Sequence, residues 1–173
     1  MGFIKIRFSP KFWDEIIEFD VELNPIPIDD GRGRDVTVNW QFFNGFDPKS
    51  KFWTDSNGLG MVKRELVKIN TGMPLLDNSN LSNYKTISGN FYPVDTAIVM
   101  RDNSNKSNIQ VTILNDRPQG GSVDLSGKAM IELMQNRRTL LDDDNGVEES
   151  LNETEADGMG IRSSAKYYMQ IFD

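Results

Sequence analysis

The chain has 173 residues and a mass of 19.7 kDa, and it is 38% hydrophobic and 26% charged, which suits a folded domain or part of one and excludes wholesale disorder. Its net charge of −7 would repel polyanions, so we predict neither nucleic acid nor a membrane as a partner. The absence of cysteine and histidine excludes thiol and imidazole chemistry and leaves only oxygen ligands for any metal ion.

Most of the chain alternates apolar with polar residues along short segments. At the N-terminus, Ile4, Ile6 and Phe8 alternate with Lys5 and Arg7. A period of two places the apolar residues on one face of a strand that is buried on that face only. The same alternation recurs at 17–23, 36–42, 109–113 and 167–171.

Two further segments are interpreted from their residue composition. Residues 96–100 are continuously apolar after Thr96 and predict a strand that is covered on both faces. Residues 130–134 fit a helical turn and a strand equally well. Because turn-forming pairs such as Asn57-Gly58 separate these short segments, the sequence predicts an all-β fold. We expect an antiparallel β-sandwich that occupies residues 1–173 or is part of a larger domain.

Other segments lack any period. Residues 70–85 are rich in Asn, Ser and Leu and predict a loop. Residues 142–164 are acidic and contain glycines, and they predict a surface loop or a linker. Residues 1–8 alternate instead of forming a continuous apolar core, so no signal peptide is expected in this chain.

Two acidic motifs are interpreted as turns. The run from Asp142 to Asp144 before Gly146 lacks the register of a helix–loop–helix calcium site, because Leu141 would occupy the first ligand position. Asp29 and Asp30 precede Gly31, and we expect their side chains to accept hydrogen bonds from backbone N–H groups of a turn.

Two other motifs could contact a ligand. The glycines of 119–122 indicate either a close backbone approach to a ligand or a hairpin connection. Arg137 and Arg138 present two guanidinium groups that suit hydroxyl or carboxylate recognition, and the alternative is a solvated pair beside the acidic run. Predicted N-glycosylation sites, each the first residue of an Asn-x-Ser/Thr triplet, are Asn80, Asn105 and Asn152.

Several blocks of sequence, none diagnostic alone, follow one another along the chain. They are 19–22 leading into 25–31, then 52–58, 89–94, 111–117 running into 119–122, and 131–134 running into Arg137-Arg138, Leu140 and 142–144. In this order they resemble the C-terminal β-rich half of the glycoside hydrolase family 38 α-mannosidases, closest to the lysosomal type. The resemblance covers roughly residues 19–151.

The resemblance implies a β-supersandwich similar to galactose-mutarotase-like folds, within a retaining enzyme that trims mannose from N-linked glycans. In that family an N-terminal α/β domain holds a zinc ion through two His and two Asp and carries the catalytic carboxylates. A chain without histidine cannot supply those ligands, so we expect no catalytic residue and no cofactor here, and an isolated chain that is inactive. The implied partners are the catalytic domain of the same enzyme and a mannose-containing glycan, and the implied compartment is the lysosome or vacuole, reached through the secretory pathway.

The resemblance also implies a substrate contact. In the family, an arginine of the paired-Arg block reaches the rim of the active site. By matching that block, Arg138 is the first candidate for substrate binding and Arg137 is the second.

A second hypothesis comes from a different class of protein. A free-standing carbohydrate-binding β-sandwich would use exposed aromatic rings as a platform for sugars, and the candidates are Trp13, Trp53 and Tyr92. Aromatic residues more often belong to the core, and a titration of mannose oligosaccharides followed by tryptophan fluorescence separates the two hypotheses.

Overall fold

The computed structural model describes residues 2–8, 16–42, 45–66, 87–104, 108–124, 129–142, 144, 146 and 148–173. Within these ranges the regular structure is almost entirely β, in eleven strands. The strands are β1 (Phe3–Phe8), β2 (Ile16–Leu23), β3 (Arg34–Gln41), β4 (Lys51–Asp55), β5 (Met61–Glu65), β6 (Tyr92–Val94), β7 (Ala97–Arg101), β8 (Gln110–Asn115), β9 (Gln119–Val123), β10 (Met130–Arg138) and β11 (Ser163–Phe172).

The strands form two antiparallel sheets that pack face to face. The larger sheet has seven strands in the order β1-β2-β11-β8-β7-β4-β5, and the smaller has four in the order β3-β10-β9-β6. Every pairing between these strands is antiparallel. The predicted all-β antiparallel sandwich is therefore confirmed.

The hydrophobic core lies between the two sheets, because the apolar residues that alternate along each strand point toward the opposite sheet. In β2 and β11 the inward residues Val21 and Tyr167 are buried, whereas the outward residues Glu22 and Lys166 are exposed. Trp40 of β3 crosses the gap between the sheets and meets the Tyr167 ring edge-on, with centroids 4.9 Å apart. Such contacts bury the apolar faces of both layers against each other.

Strand β7 is covered on both faces, as its continuous apolar sequence predicts. The four residues Ala97–Met100 are all buried, and β7 lies between β4 and β8 within the larger sheet. The segment 130–134, which fitted a helix or a strand, is the start of β10.

Residues 119–122 belong to β9, so the interpretation of their glycines as a hairpin connection was wrong. The other interpretation, a close backbone approach to a ligand, stays a prediction. A Cβ at Gly121 would lie 2.5 Å from Cγ2 of Val94 and 2.9 Å from Cδ2 of Leu133. The glycine is therefore required because the core closes directly on the backbone of this strand.

Most of the described residues of 142–164 are irregular. Thr154 and Gly160 form an isolated β-bridge, and the regular structure resumes at Ser163 in β11. The backbone N–H of Asp144 donates to Oδ2 of Asp142 at 3.0 Å, which is a turn. At the other acidic motif, the N–H of Arg32 donates to Oδ1 of Asp30, also in a turn.

The predicted loop 70–85 lies outside the described residues. Within the described part of the chain, no helix is long and apolar enough to cross a membrane.

Candidate functional site

A pocket of about 350 Å³ opens where β10 ends. It brings together both predicted arginines with residues that are distant in sequence, some before β3 and some after β10. Its lining residues are Ile26, Asn136, Arg137, Arg138, Leu151, Glu153 and Ile161. The polar groups come mostly from the end of β10, and the apolar walls come from the two flanking segments.

An irregularity in β10 sets the direction of the two arginines. The register of β10 with β3 shifts between Met134 and Asn136, so Gln135 is an extra residue without a β3 partner. An inserted residue bends a strand and re-aims the side chains that follow it. After the shift, Arg137 pairs with Asp35 and Arg138 pairs with Arg34.

The extra residue is fixed by a buried tyrosine. The hydroxyl of Tyr167 donates to Oε1 of Gln135, and Nε2 of Gln119 donates to the same hydroxyl at 2.8 Å. Burial raises the pKa of Tyr167 to about 12, because the phenolate would lose its solvation. The hydroxyl therefore stays protonated, and it holds the irregularity behind the pocket.

Arg138 is held rigidly at the pocket. Its Nε donates to Oδ1 of Asn152 at 2.7 Å, and its Nη1 donates to the carbonyl oxygen of Ile26 at 2.9 Å. A Cβ at Gly160 would lie 2.5 Å from Nη1 and 2.9 Å from Cζ, so the guanidinium packs directly on the backbone of that glycine. Nη2 has no partner among the described residues, which leaves two N–H groups for a ligand.

Arg137 forms a salt bridge with Asp35. Its Nε and Nη2 donate to the two carboxylate oxygens of Asp35 at 2.5 and 2.9 Å, and both side chains are about half exposed. The hydrogen bonds that Arg137 donates to Asp35 raise the pKa of Arg137, although partial burial opposes the change. The bidentate pair with Asp35 balances the charge of Arg137, whereas the partners of Arg138 among the described residues are uncharged, so Arg137 is the less available of the two for a ligand.

Of the three predicted glycosylation sites, Asn152 alone lies in the described residues. Its side chain is half-buried, and its Oδ1 accepts the bond from Arg138. Attachment of a glycan would use the nitrogen Nδ2 and leave Oδ1 in place. Asn80 and Asn105 lie outside the described residues, and glycosylation at all three positions stays a prediction.

The aromatic candidates of the second hypothesis are partly covered. The guanidinium of Arg101 lies over the ring of Trp53 at 4.9 Å, and that of Arg64 lies over the ring of Tyr92 at 4.6 Å. An arginine stacked on a ring occupies one of the two faces that could stack on a sugar. Trp13 lies outside the described residues.

A buried carboxylate that the sequence reasoning missed lies at the end of β4. Asp55 is 2% exposed, and its oxygens accept hydrogen bonds from the N–H groups of Thr96 and Ala97 and from the hydroxyl of Thr96. Burial raises the pKa of Asp55, but the bonds from Thr96 and Ala97 lower it more, and the net pKa lies below its usual value. The carboxylate is saturated by these donors, so its role is to tie β4 to the start of β7.

The zinc site of the resembled family does not fit this chain. The chain has no histidine to provide the nitrogen ligands, and within the described residues no three acidic side chains converge as a metal site would require.

Comparison with known proteins identifies the class of the fold and then its family. A model of the glycosyl hydrolases family 38 C-terminal domain matches residues 5–145. The lysosomal α-mannosidase of Mus musculus is 37% identical over 139 residues, which are 80% of this chain and 12% of that protein. The lysosomal α-mannosidase of Felis catus is 38% identical over 144 residues (83% of this chain, 12% of that protein), and a probable α-mannosidase of Arabidopsis thaliana is 34% identical over 160 (91% and 14%).

The matches define a β-sandwich domain of a glycoside hydrolase. The chain belongs to the glycosyl hydrolases family 38, and it corresponds to their C-terminal domain. The resemblance drawn from the ordered sequence blocks is thereby confirmed. The chain spans only 12–14% of the length of these three relatives.

Proposed function

We propose that the chain is the C-terminal β-domain of a retaining α-mannosidase that acts on the mannose of N-linked glycans, and that it supports the catalytic domain and lines the glycan cleft. The family membership and the names of the relatives support the enzyme class. The observation that carries the cleft assignment is the fixed position of Arg138 in a pocket at the end of β10.

The chemistry of the pocket suits a sugar. Nη2 of Arg138, which has no hydrogen-bond partner in the described part of the chain, and the amide of Asn136 can donate hydrogen bonds to hydroxyl groups, and the carboxylate of Glu153 can accept them. The side chains of Ile26 and Leu151 offer apolar walls for the C–H faces of a sugar ring. Since two hydrogen bonds already hold Arg138, a ligand would not need to order it.

The catalytic step belongs to the catalytic domain of the same enzyme under this proposal. We expect the purified chain to show no turnover of a chromogenic α-mannoside, with or without added Zn²⁺, because it lacks the histidine ligands of the family's zinc site. Robust turnover by the chain alone would contradict the proposal.

A chimera supplies the positive test. In the Mus musculus lysosomal α-mannosidase, the span that this chain matches, extended at both ends to correspond to the whole chain, is replaced by residues 1–173. We expect a secreted chimera that hydrolyses the chromogenic substrate. A chimera that is not secreted, or is secreted without activity, would show that this chain does not perform the role of that span.

We propose the lysosome or vacuole as the compartment, in line with the lysosomal relatives. Location is tested by following the tagged protein in cells of the source organism. Staining confined to the cytosol would contradict it.

The alternative of a free-standing carbohydrate-binding module gains no support from Trp53 and Tyr92, since an arginine covers one face of each ring. A titration of mannose oligosaccharides followed by tryptophan fluorescence tests this alternative. A saturable signal from the isolated chain would favour it.

A further inference from the structure

The two layers of the sandwich differ in extent at the β1 end. Phe19 of β2 contacts Trp40 of β3, with ring centroids 5.8 Å apart, so β3 lies over β2. In the larger sheet β1 is the next strand beyond β2, whereas in the smaller sheet β3 is the last strand. Within the described residues, no strand of the smaller sheet therefore lies over β1.

Side-chain exposure shows which residues of the larger sheet are not covered by the smaller sheet. Ile4 pairs with Val21 and Ile6 pairs with Phe19, so these residues share the inner face of the larger sheet. Val21 is 2% exposed, but Ile4 is 57% exposed and Ile6 is 52% exposed. The apolar inner face of the larger sheet is thus buried at Val21 of β2 and exposed to solvent at Ile4 and Ile6 of β1.

The backbone beside this open face is also available for pairing. Among the described strands, β3 pairs only with β10, so alternate N–H and C=O groups of β3 point away from the smaller sheet. A strand added to this edge would lie about 4.8 Å from β3, which is also the spacing between β1 and β2. The added strand would therefore lie directly over Ile4 and Ile6.

We propose that the free edge of β3 together with Ile4 and Ile6, here called the β3 notch, binds one further β-strand from the remaining part of the α-mannosidase chain. This inference rests on the proposed function. The chain spans 12–14% of its three compared relatives, so the whole enzyme has ample sequence to supply the strand. The strand would carry apolar residues at alternate positions.

The position of the charged side chains on β1 favours an apolar partner strand. The two cationic side chains of β1, Lys5 and Arg7, lie on the opposite face, where Arg7 pairs with Glu18 at 2.8 Å and with Asp20 at 2.6 Å. The inner face of β1 therefore presents its isoleucines without a neighbouring charge of the same strand. A partner strand would gain by burying them and by completing the hydrogen bonds of β3.

The test compares two aspartate substitutions in the mouse chimera described above. Ile6→Asp places a charge in the notch, whereas Phe3→Asp places the same charge on the outer face of the same strand at a residue of similar exposure, 58%. We expect Ile6→Asp to lower secretion of the chimera ~10-fold, because a buried unpaired carboxylate prevents docking, and Phe3→Asp to leave it within about twofold. In the isolated chain both variants should unfold at similar urea concentrations, since both sites are exposed there.

The outcomes separate this inference from the proposed function. Equal secretion of the two variant chimeras, with an active parent chimera, would overturn the notch and leave the proposed function intact. A parent chimera that is not secreted or is inactive would overturn the proposed function and the notch with it. If light scattering showed that the isolated chain is a dimer and that Ile6→Asp dissociates it, the occupant would be a second copy, and the inference would be wrong.

Discussion

At the scale of single residues, the position of Arg138 depends on an acceptor that is remote in sequence. Asn152 was predicted only as a glycosylation site, yet its Oδ1 holds the Nε of Arg138. We expect Asn152→Ala to lower the free energy of unfolding by about 1 kcal/mol, because a hydrogen bond to a charged group is lost at a half-buried site. Asn152→Asp keeps an oxygen acceptor and should cost less than about 0.5 kcal/mol.

The pair of variants also separates positioning from glycosylation. Both remove the acceptor of a glycan, and urea unfolding of unglycosylated protein measures stability alone. In the secreted chimera, Asn152→Ala should lower kcat/KM more than Asn152→Asp does, because only the alanine releases Arg138. Equal losses for the two variants would argue that Oδ1 does not position the arginine.

Asp55 makes the stability of the fold depend on pH. Its pKa in the folded protein is lower than the usual value of 3.8, so the stabilisation it provides is complete above that value and is lost as pH falls through the folded pKa. We expect Asp55→Asn to cost about 2 kcal/mol at pH 7, because an amide nitrogen would face the backbone donors of Thr96 and Ala97.

The cost of Asp55→Asn should shrink as pH falls through the folded pKa of Asp55, because the wild-type carboxyl then becomes protonated. Urea unfolding at pH 7 and at a pH well below 3.8 measures both values. The control Asp35→Asn removes an exposed ion pair and should cost less than about 1 kcal/mol at pH 7. A cost at Asp55 that is the same at both pH values would contradict the role of its charge.

At the scale of strands, the adjacent glycines of β9 differ in what surrounds them. A Cβ at Gly121 meets Cγ2 of Val94 at 2.5 Å, whereas the nearest atom to a Cβ at Gly120 is Cδ1 of Phe91 at 3.6 Å, which is an ordinary contact. We expect Gly121→Ala to cost about 1–3 kcal/mol through overpacking. Gly120→Ala should change stability by less than about 0.5 kcal/mol, and urea unfolding of both variants is the measurement. Similar losses of stability in the two variants would show that the core side chains beside β9 can shift to accommodate a methyl group at Gly121.

The strands also show which parts of the fold could be predicted from the sequence. Alternation predicted β1, β2, β3, β8 and β11, because each buries one face and the period of two is local. β9 was misread, since glycines required by core packing have the same composition as a turn. The order of strands in the sheets was not predicted, because pairing such as that of β2 with β11 joins segments that are far apart in the chain.

The same limit applies to the candidate site. Arg138 was singled out by resemblance, but the residues that hold it, Asn152, Gly160 and the carbonyl of Ile26, come from segments on both sides of it. No local pattern marks them, because their roles arise only when β10 ends beside these segments. The sequence therefore predicted the candidate residue, and the residues that hold it in place could not be predicted.

At the scale of the whole molecule, the last strand of the chain is central to the larger sheet. β11 pairs with β2 over 163–170 and with β8 over 167–172, and it contributes the buried Tyr167. The family model, however, ends at residue 145. The folding unit therefore extends beyond the matched region, because without β11 the larger sheet would be divided between β2 and β8.

Two deletions test this. Removal of 163–173 should abolish cooperative unfolding, since it exposes two new strand edges and opens the core at Tyr167. Removal of 2–8 takes away only the edge strand β1, whose described side chains are exposed, and should preserve a cooperative transition at a somewhat lower urea concentration. Far-UV circular dichroism during urea titration measures both. A cooperative transition in the protein that lacks β11 would show that the remaining strands suffice, and that β11 is an addition to a core completed by residue 145.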